Sequence, residues 1–272
     1  MSGLDWLVCP HCGDDLHHRG STLACAQRHS FDVARQGYVN LLGRAAPANA
    51  DTAAMLDARA RFLAAGHYGA IADAVASAVA AATAELDDAR IVEVGAGTAF
   101  YLARALDRCP NAEGLATDVS VPAAKRAAGA HPRVASIVAD TWAGTPVADG
   151  AADAIVCVFA PRNPADFARL LQRGGSLIVA QPAPSHLRQL RQRYGLLEVA
   201  ADKEDRLSAA FPGWTVADRV AIRATTRLAA DEVRDLIAMG PNAFHGVPPE
   251  TEDAEVEIAV NVVHLVTPPR PS

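Results

Sequence analysis

From residue 90 onward the chain alternates short apolar runs with amphipathic, Ala-rich stretches. This alternation limits the fold more than any other feature. Strand-like runs lie at 90–94, 113–117, 134–138, 153–159 and 176–181, and helix-like runs at 99–107, 122–129, 164–172 and 185–193. Such alternation specifies a parallel, doubly wound α/β sheet, because parallel neighbours need a crossover that is usually a helix. Ser120 with Pro122, Asn163 with Pro164, and Ser185 have the chemistry of helix starts. Further strands are expected at 214–224 and 256–266, joined through a helix near 229–238. Two Ala-rich helices, 55–64 and 70–84, precede the sheet and are separated by Ala65-Gly66-His67-Tyr68-Gly69.

With 272 residues, 50% hydrophobic and 21% charged, the chain can bury a sizeable core, which excludes a disordered tail protein. The length suits one large domain, or one domain with a small module. No run of eighteen apolar residues occurs, so no membrane helix is expected. The opening residues lack the basic and apolar regions of a secretory signal. The five cysteines are too few and too unevenly spread for a disulfide scaffold. A reduced, cytoplasmic setting is the expectation.

Three of those cysteines fall in the first 25 residues. Cys9-Pro-His-Cys12 and Cys25-Ala-Gln-Arg-His29 give the pattern C-x2-C-x12-C-x3-H. Each pair sits on a tight turn, so three thiolates and one imidazole can converge on one ion. That donor set suits tetrahedral zinc. Four protein ligands leave no open position, so the metal is structural. A module this small would draw much of its folding energy from the metal. Residues 1–44 are read as this zinc module and 45–272 as the α/β domain, with 44–54 as a linker. Cys157, in an apolar strand, reads as a small buried hydrophobe, and Cys109 as incidental.

The segment Ile91-Val92-Glu93-Val94-Gly95-Ala96-Gly97-Thr98-Ala99-Phe100-Tyr101 is a strand, a glycine turn and a helix start. A dinucleotide site wants G-x-G-x-x-G, but Phe100 holds the third glycine position. The form E-x-G-x-G instead resembles motif I of class I S-adenosylmethionine (SAM) methyltransferases. Under that resemblance Asp118, ending Gly114-Leu-Ala-Thr-Asp118, would hold the ribose hydroxyls, and Asp140 the adenine amine. Arg173-Gly174-Gly175 resembles the turn before that fold's fifth strand. The fold class expected is therefore α/β: a Rossmann-like class I methyltransferase with a seven-stranded, mostly parallel sheet and an N-terminal zinc-ribbon-like module.

Taken together the motifs resemble the RlmA family of 23S rRNA guanine-N1 methyltransferases. The likeness runs from the zinc knuckle through His29-Ser-Phe-Asp-Val-Ala-Arg-Gln-Gly-Tyr-Val-Asn-Leu-Leu42 and Met55-Leu-Asp-Ala-Arg-Ala-Arg-Phe-Leu-Ala-Ala-Gly-His-Tyr68. It continues through motif I, Phe159-Ala-Pro161 and Pro184-Ser-His-Leu187. The closing Met239-Gly-Pro-Asn-Ala-Phe-His245 is similar to the Gram-positive, type II branch, which modifies hairpin 35 and includes tylosin- and mycinamicin-type resistance enzymes. The resemblance implies zinc on Cys9, Cys12, Cys25 and His29. It implies SAM contacts from Tyr68, from Ala99-Phe100 and from His186, beside Glu93, Gly95 and Gly97 of motif I. Ala99 stands where relatives carry a glycine.

The net charge of −6 argues against a nucleic-acid partner only as a sum. Residues 162–193 hold six Arg against one Asp, a balance of +5, whereas 250–257 hold five acids and no base. Only Lys125 and Lys203 are lysine among the 25 basic residues. The Arg stretch, with Arg19, Arg28, Arg35 and Arg44, is the expected phosphate-binding surface. A homodimer is expected, because a hairpin RNA needs more positive surface than one acidic chain offers. For removal of the guanine N1 proton, Asp140 and His67 are candidate bases and Asn163 an orienting group, with nothing in the sequence to choose among them. Tyr68, Phe100, Trp142 and Phe159 are candidates for packing on the adenine, the sulfonium or a flipped guanine. Two other readings stay open at this point: a small-molecule methyltransferase with a structural zinc head, and a non-catalytic zinc-ribbon RNA-binding protein.

Overall fold

The computed structural model describes residues 4–200 and 202–268. Near its start, β1 (His17–Arg19), β2 (Thr22–Ala24) and β3 (Ser30–Asp32) form a small antiparallel sheet. Gly20, at φ +67°, permits the two-residue turn between β1 and β2. β4 (Tyr38–Asn40) then leaves this sheet and pairs in parallel with a strand of the main domain.

The main domain contains α1 (Ala53–Ala64), α2 (Gly69–Ala82), β5 (Arg90–Val94), α3 (Phe100–Arg108), β6 (Glu113–Asp118), α4 (Val121–Ala127) and β7 (Val134–Val138). It continues with β8 (Ala152–Val158), α5 (Pro164–Leu170), β9 (Leu171–Pro182), α6 (Arg188–Tyr194) and α7 (Lys203–Ala210). It ends with β10 (Thr215–Leu228), α8 (Ala230–Ala238), a 3₁₀ turn at Pro241–His245 and β11 (Ala254–Val266). The sheet order is β10-β11-β9-β8-β5-β6-β7-β4. Six strands from β4 to β9 run parallel, and β11 is inserted antiparallel between β9 and β10. The seven expected strands are present, and β4 adds an eighth.

The parallel strands are nearly continuous runs of buried Val, Ile, Leu and Ala because both faces of the sheet are covered. One face packs on α1, α2, α3 and α8 through Phe62, Ile71, Val75, Leu102 and Val233. The other packs on α5 through Phe167 and on α7 through Leu207 and Phe211. The zinc-module residues Leu4, Trp6, Leu7, Leu16 and Leu23 join this second core. Two backbone bonds tie the module on, from Val8 N to Pro146 O (3.0 Å) and from Ala148 N to Trp6 O (2.9 Å). The boundary at residue 44 therefore divides the sequence, while β4 and Trp6 sit in the packing of the larger domain.

Ser120 and Asn163 cap α4 and α5 as expected, with Pro in the first turn of each. Ser185 does not cap α6, which begins after Leu187, and its hydroxyl donates instead to Glu257 (2.7 Å). No single helix among the described residues is long and apolar enough to cross a membrane.

Candidate functional site

The parallel strands end on one edge, where the loops after β5, β6, β7, β8 and β9 surround a cavity of about 830 Å³. This is the switch-point edge of an open α/β sheet, where strand order reverses about β5 and loops part to leave a crevice.

The loop after β5 depends on two left-handed glycines, Gly95 (φ +63°) and Gly97 (φ +55°). A Cβ at Gly95 would lie 2.6 Å from the Ala160 methyl, and one at Gly97 2.4 Å from the Arg59 guanidinium. Ala99 is also left-handed, at φ +55°, so this chain holds an ordinary residue in a conformation that favours glycine. Asp118, at the end of β6, accepts from Gly97 N through Oδ2 (2.9 Å) and from Ser120 N through Oδ1 (2.8 Å). Burial pushes its pKa up, against these two backbone donors. Each carboxylate oxygen keeps a second lone pair, enough to accept from a vicinal diol. Glu93 is buried at the cavity wall and accepts from Leu102 N (3.2 Å). Burial pushes its carboxyl up to about 8, so it is largely protonated at neutral pH.

The opposite wall is aromatic. Tyr68, Phe159 and His186 line the cavity, with the Tyr68–Phe159 centroids 5.9 Å apart and the Phe159–His186 rings stacked at 6.2 Å. His186 Nδ1 accepts from Ala259 N (3.1 Å), which puts the ring proton on Nε2, and Nε2 then donates to Tyr68 Oη (3.2 Å). Burial, with Arg191 and Lys203 nearby, lowers His186 to about 4. Burial alone pushes the Tyr68 phenol well up. Phe159 is 43% exposed and held at φ +54°.

Glu93, Gly95, Phe100, Asp118 and Asp140 line the same cavity as Tyr68 and His186, whereas Gly97 and Ala99 are not part of the lining. Asp140 forms an ion pair with Arg44 and accepts from Trp142 N (2.9 Å). Trp142 borders the cavity but is 66% exposed. Two candidates for the proton-transfer chemistry lie off the lining. His67 is taken by Glu232 (2.8 Å), and Asn163 is spent on the α5 cap and on Thr141 O (2.9 Å). The stretch read as a linker lines the cavity through Arg44, Asn49 and Asp51. Sequence reasoning also passed over Arg59, Gln181 and Lys203. Arg59 pairs with Asp51 (2.7 Å) and donates to Met239 O (2.6 Å). Its only signal was its place within the motif 55–68.

The Arg stretch 162–193 is partly internal. Arg169 serves Asp149, Asp166 and the carbonyls of Thr145 and Val147, and Arg191 is buried against Glu198. The C-terminal acids are likewise matched, Glu252 with Arg193 and Asp253 with Arg227.

In the N-terminal module, the ligand atoms of Cys9, Cys12, Cys25 and His29 all lie within 4.8 Å of one another. Cys12 and Cys25 Sγ are 3.7 Å apart, and His29 Nδ1 is 3.4 Å from Cys9 and Cys25 Sγ. These are the edges of a tetrahedron whose centre would give zinc–sulfur distances of about 2.3 Å, and they are far too long for disulfides. The donor set and its spacing fit zinc.

Residues 7–46 match the family model for the N-terminal zinc ribbon of RlmA. The chain is 43% identical to a 23S rRNA (guanine(748)-N(1))-methyltransferase of Streptomyces fradiae, over 98% of each protein. It is also 43% identical to a protein of Micromonospora griseorubida named for the same type of reaction, over 90% of this chain and 89% of that one. A solved SAM-dependent methyltransferase of Thiobacillus denitrificans is similar at 17% identity and a TM-score of 0.44, covering 71% of this chain and 90% of the other. Whole-length identity at this level, with the zinc-ribbon match over residues 7–46, places the chain in the RlmA family of 23S rRNA (guanine-N1)-methyltransferases.

Proposed function

We propose that this chain transfers a methyl group from SAM to N1 of a guanine in 23S rRNA. The observation that carries the reading is one cavity that holds both a diol-accepting carboxylate, Asp118 beside the Gly95–Gly97 turn, and an aromatic wall of Tyr68, Phe159 and His186. The 43% identity to the Streptomyces fradiae enzyme supports the same reading.

In this assignment Asp118 binds the ribose hydroxyls, Asp140 the adenine amine, and Gly95 and Gly97 let the backbone approach the cofactor. Glu93 supports that turn by accepting from the first turn of α3, and Ala99-Phe100 form its far lip. When bound, SAM supplies a methyl carbon already activated by its sulfonium. The protein therefore contributes mainly position and exclusion of water. Tyr68 and His186 brace each other on the aromatic wall. His186 orients rather than takes the proton, since its Nδ1 is occupied by a backbone N–H. Cys9, Cys12, Cys25 and His29 hold a structural zinc in residues 1–44, and that module grips RNA while 45–272 bind SAM.

The finer assignment is a guanine in hairpin 35, with tolerance of tylosin- and mycinamicin-type macrolides as the consequence, and with two copies of the chain acting on the rRNA. Primer extension on rRNA from a strain lacking its own enzyme tests it, with this protein and with Asp118→Ala. A stop at one hairpin-35 guanine, absent with Asp118→Ala, is expected. A stop elsewhere in 23S rRNA removes hairpin 35, and no stop removes the function. Sedimentation of the active protein as a monomer removes the dimer.

A further inference from the structure

One end of the cavity carries more hydrogen-bond donors than acceptors. Gln181, at the end of β9, is 2% exposed. Its Oε1 accepts from Arg162 (2.9 Å), and a guanidinium only donates, so the amide orientation is fixed. The other half of the amide, Nε2, is buried without a partner. Arg162 makes no ion pair with any acid among the described residues. Lys203, in the first turn of α7, is half-buried and makes neither a hydrogen bond nor an ion pair there. It is one of two lysines among 25 basic residues. All three residues line the same cavity as the exposed Phe159 ring.

The other charged and titratable groups at this end are mostly paired or neutral. Arg191 pairs with Glu198 (2.7 Å) and donates to Pro184 O, while its Nε is a further buried donor without a partner, and His186 is neutral. Burial pushes the Cys157 thiol up to about 12, so it stays protonated. What remains is a buried amide N–H, the buried Arg191 Nε and two cations, with burial and Arg162 both lowering Lys203. Orphaned buried donors are uncommon in folded proteins and point to an absent acceptor.

We propose that Gln181, Arg162 and Lys203 form a seat for the O6 edge of the target guanine and stabilise the anion left when N1 loses its proton. The proposal rests on the function assigned above. O6 only accepts hydrogen bonds, whereas adenine presents an amine at the same position, so an all-donor seat selects guanine. When the N1–H bond breaks, the proton passes to water and the electron pair spreads over N1, C6 and O6. The negative charge thus arrives where the donors are, which is electrostatic stabilisation of the kind found in oxyanion holes. N1 then bonds to the methyl carbon as the carbon–sulfur bond breaks, its pair going to sulfur. The products are neutral 1-methylguanine, a neutral thioether and one proton in solvent.

The same donors would suit a backbone phosphate, so the test separates the two. A hairpin-35 RNA carries either guanine or 2-aminopurine, which lacks O6, at the target position. Its binding is measured with S-adenosylhomocysteine present, and the pH dependence of guanine methylation is followed with SAM. Wild-type protein should bind the guanine RNA about tenfold or more tightly, the discrimination of a good base-edge contact. In Lys203→Gln and Arg162→Gln that preference should fall to within about threefold, and the alkaline rise in rate should move up by about one pH unit. Thermal melts like wild type, with unchanged S-adenosylhomocysteine affinity, establish that the variants are folded. Equal weakening of both RNAs, or no change, overturns the O6 seat, the former in favour of phosphate. An unmoved pH profile overturns the anion role. If wild-type protein methylates neither the hairpin nor intact 23S rRNA, the function itself has failed.

Discussion

His186 Nε2 donates to Tyr68 Oη at 3.2 Å because the Ala259 N–H, 3.1 Å from Nδ1, leaves the ring no other neutral tautomer. Three elements meet in this chain: the entry to α2, the loop after β9, and β11. The phenolic proton of Tyr68 is then free to point into the cavity. Nitrogen-detected NMR should find His186 neutral, with the proton on Nε2, at all pH values above about 5, and titrating near 4. A midpoint near the ordinary 6.5 would refute the buried, uncharged ring, and a proton on Nδ1 would refute the tautomer assignment. His186→Ala strands the Ala259 N–H and the Tyr68 hydroxyl. It should cost about 2–6 kcal/mol by urea unfolding, since each unsatisfied buried group costs about 1–3 kcal/mol.

Glu93 makes stability depend on pH in an unusual direction. Its folded pKa, about 8, is raised above the ordinary 4.5. Between those values the folded state holds a proton that the unfolded state has lost, so stability falls as pH rises through this window. Glu93→Gln removes the ionisation. The variant should gain on wild type as pH goes from 5 to 8, by at most about 1.4 kcal/mol per pH unit. Parallel curves for the two proteins, from urea unfolding across that range, would show that Glu93 is an ordinary carboxylate.

The two loop glycines should not respond alike to a methyl group. Both are left-handed, which costs alanine about 1–2 kcal/mol at either position. At Gly95 the new Cβ meets the Ala160 methyl, part of the backbone turn after β8, which has no rotamer with which to move away. At Gly97 it meets the tip of Arg59, which can swing aside by giving up its Asp51 pair. Gly95→Ala should therefore cost about 2–4 kcal/mol, strain plus overpacking, and Gly97→Ala about half of that. SAM binding by calorimetry should weaken in both, because Gly97 N also anchors Asp118. A Gly97→Ala protein less stable than Gly95→Ala would contradict the packing argument.

The sequence carries the sheet well for a physical reason. Buried parallel strands are uninterrupted apolar runs, so β5 to β9 stand out between their helices, although β9 starts at Leu171, several residues earlier than its apolar run suggests. Asp118 is legible from its position at a strand end. β4 is not, because Tyr38–Asn40 is too short to show a period and is stabilised only by pairing with β7. The stretch 44–54 has linker composition, yet Arg44 pairs with Asp140, and Ser120 Oγ donates to Asp51 O at 2.6 Å. Contacts such as Arg59 on Gly97, or Arg162 on Gln181, join residues far apart in sequence, and no local pattern announces them.

Zinc should stabilise the whole chain rather than the module alone. Cys9 and Cys25 are each 2% exposed and belong to the core that contains Trp6, Val92, Leu115 and Phe167. Chelation should lower the single melting transition seen by far-UV circular dichroism, and Trp6 fluorescence should change at the same temperature. An early, separate fluorescence transition with the main melt unmoved would mean that the module folds independently. Cys25→Ser should reproduce the chelated state and lose stoichiometric metal.

The attachment of the module decides how its role in RNA binding is to be tested. Deleting residues 1–44 would uncover Val92, Leu115 and Phe167 and remove β4, so a loss of methylation would report unfolding as readily as failed recognition. Arg19 on β1 and Arg28 on the knuckle turn are exposed, and neither pairs with an acid among the described residues. Arg28 is held at φ +67° on the turn between Cys25 and His29. Charge reversal of either, Arg19→Glu or Arg28→Glu, removes no internal contact and should leave the melting temperature and SAM affinity unchanged. If either guanidinium neutralises an RNA phosphate, its reversal should weaken RNA binding across sequences and reduce the salt slope by about one, by counterion release. Full methylation with an unchanged salt series in both variants would assign the module to folding, and would leave RNA recognition to the surface around the cavity mouth.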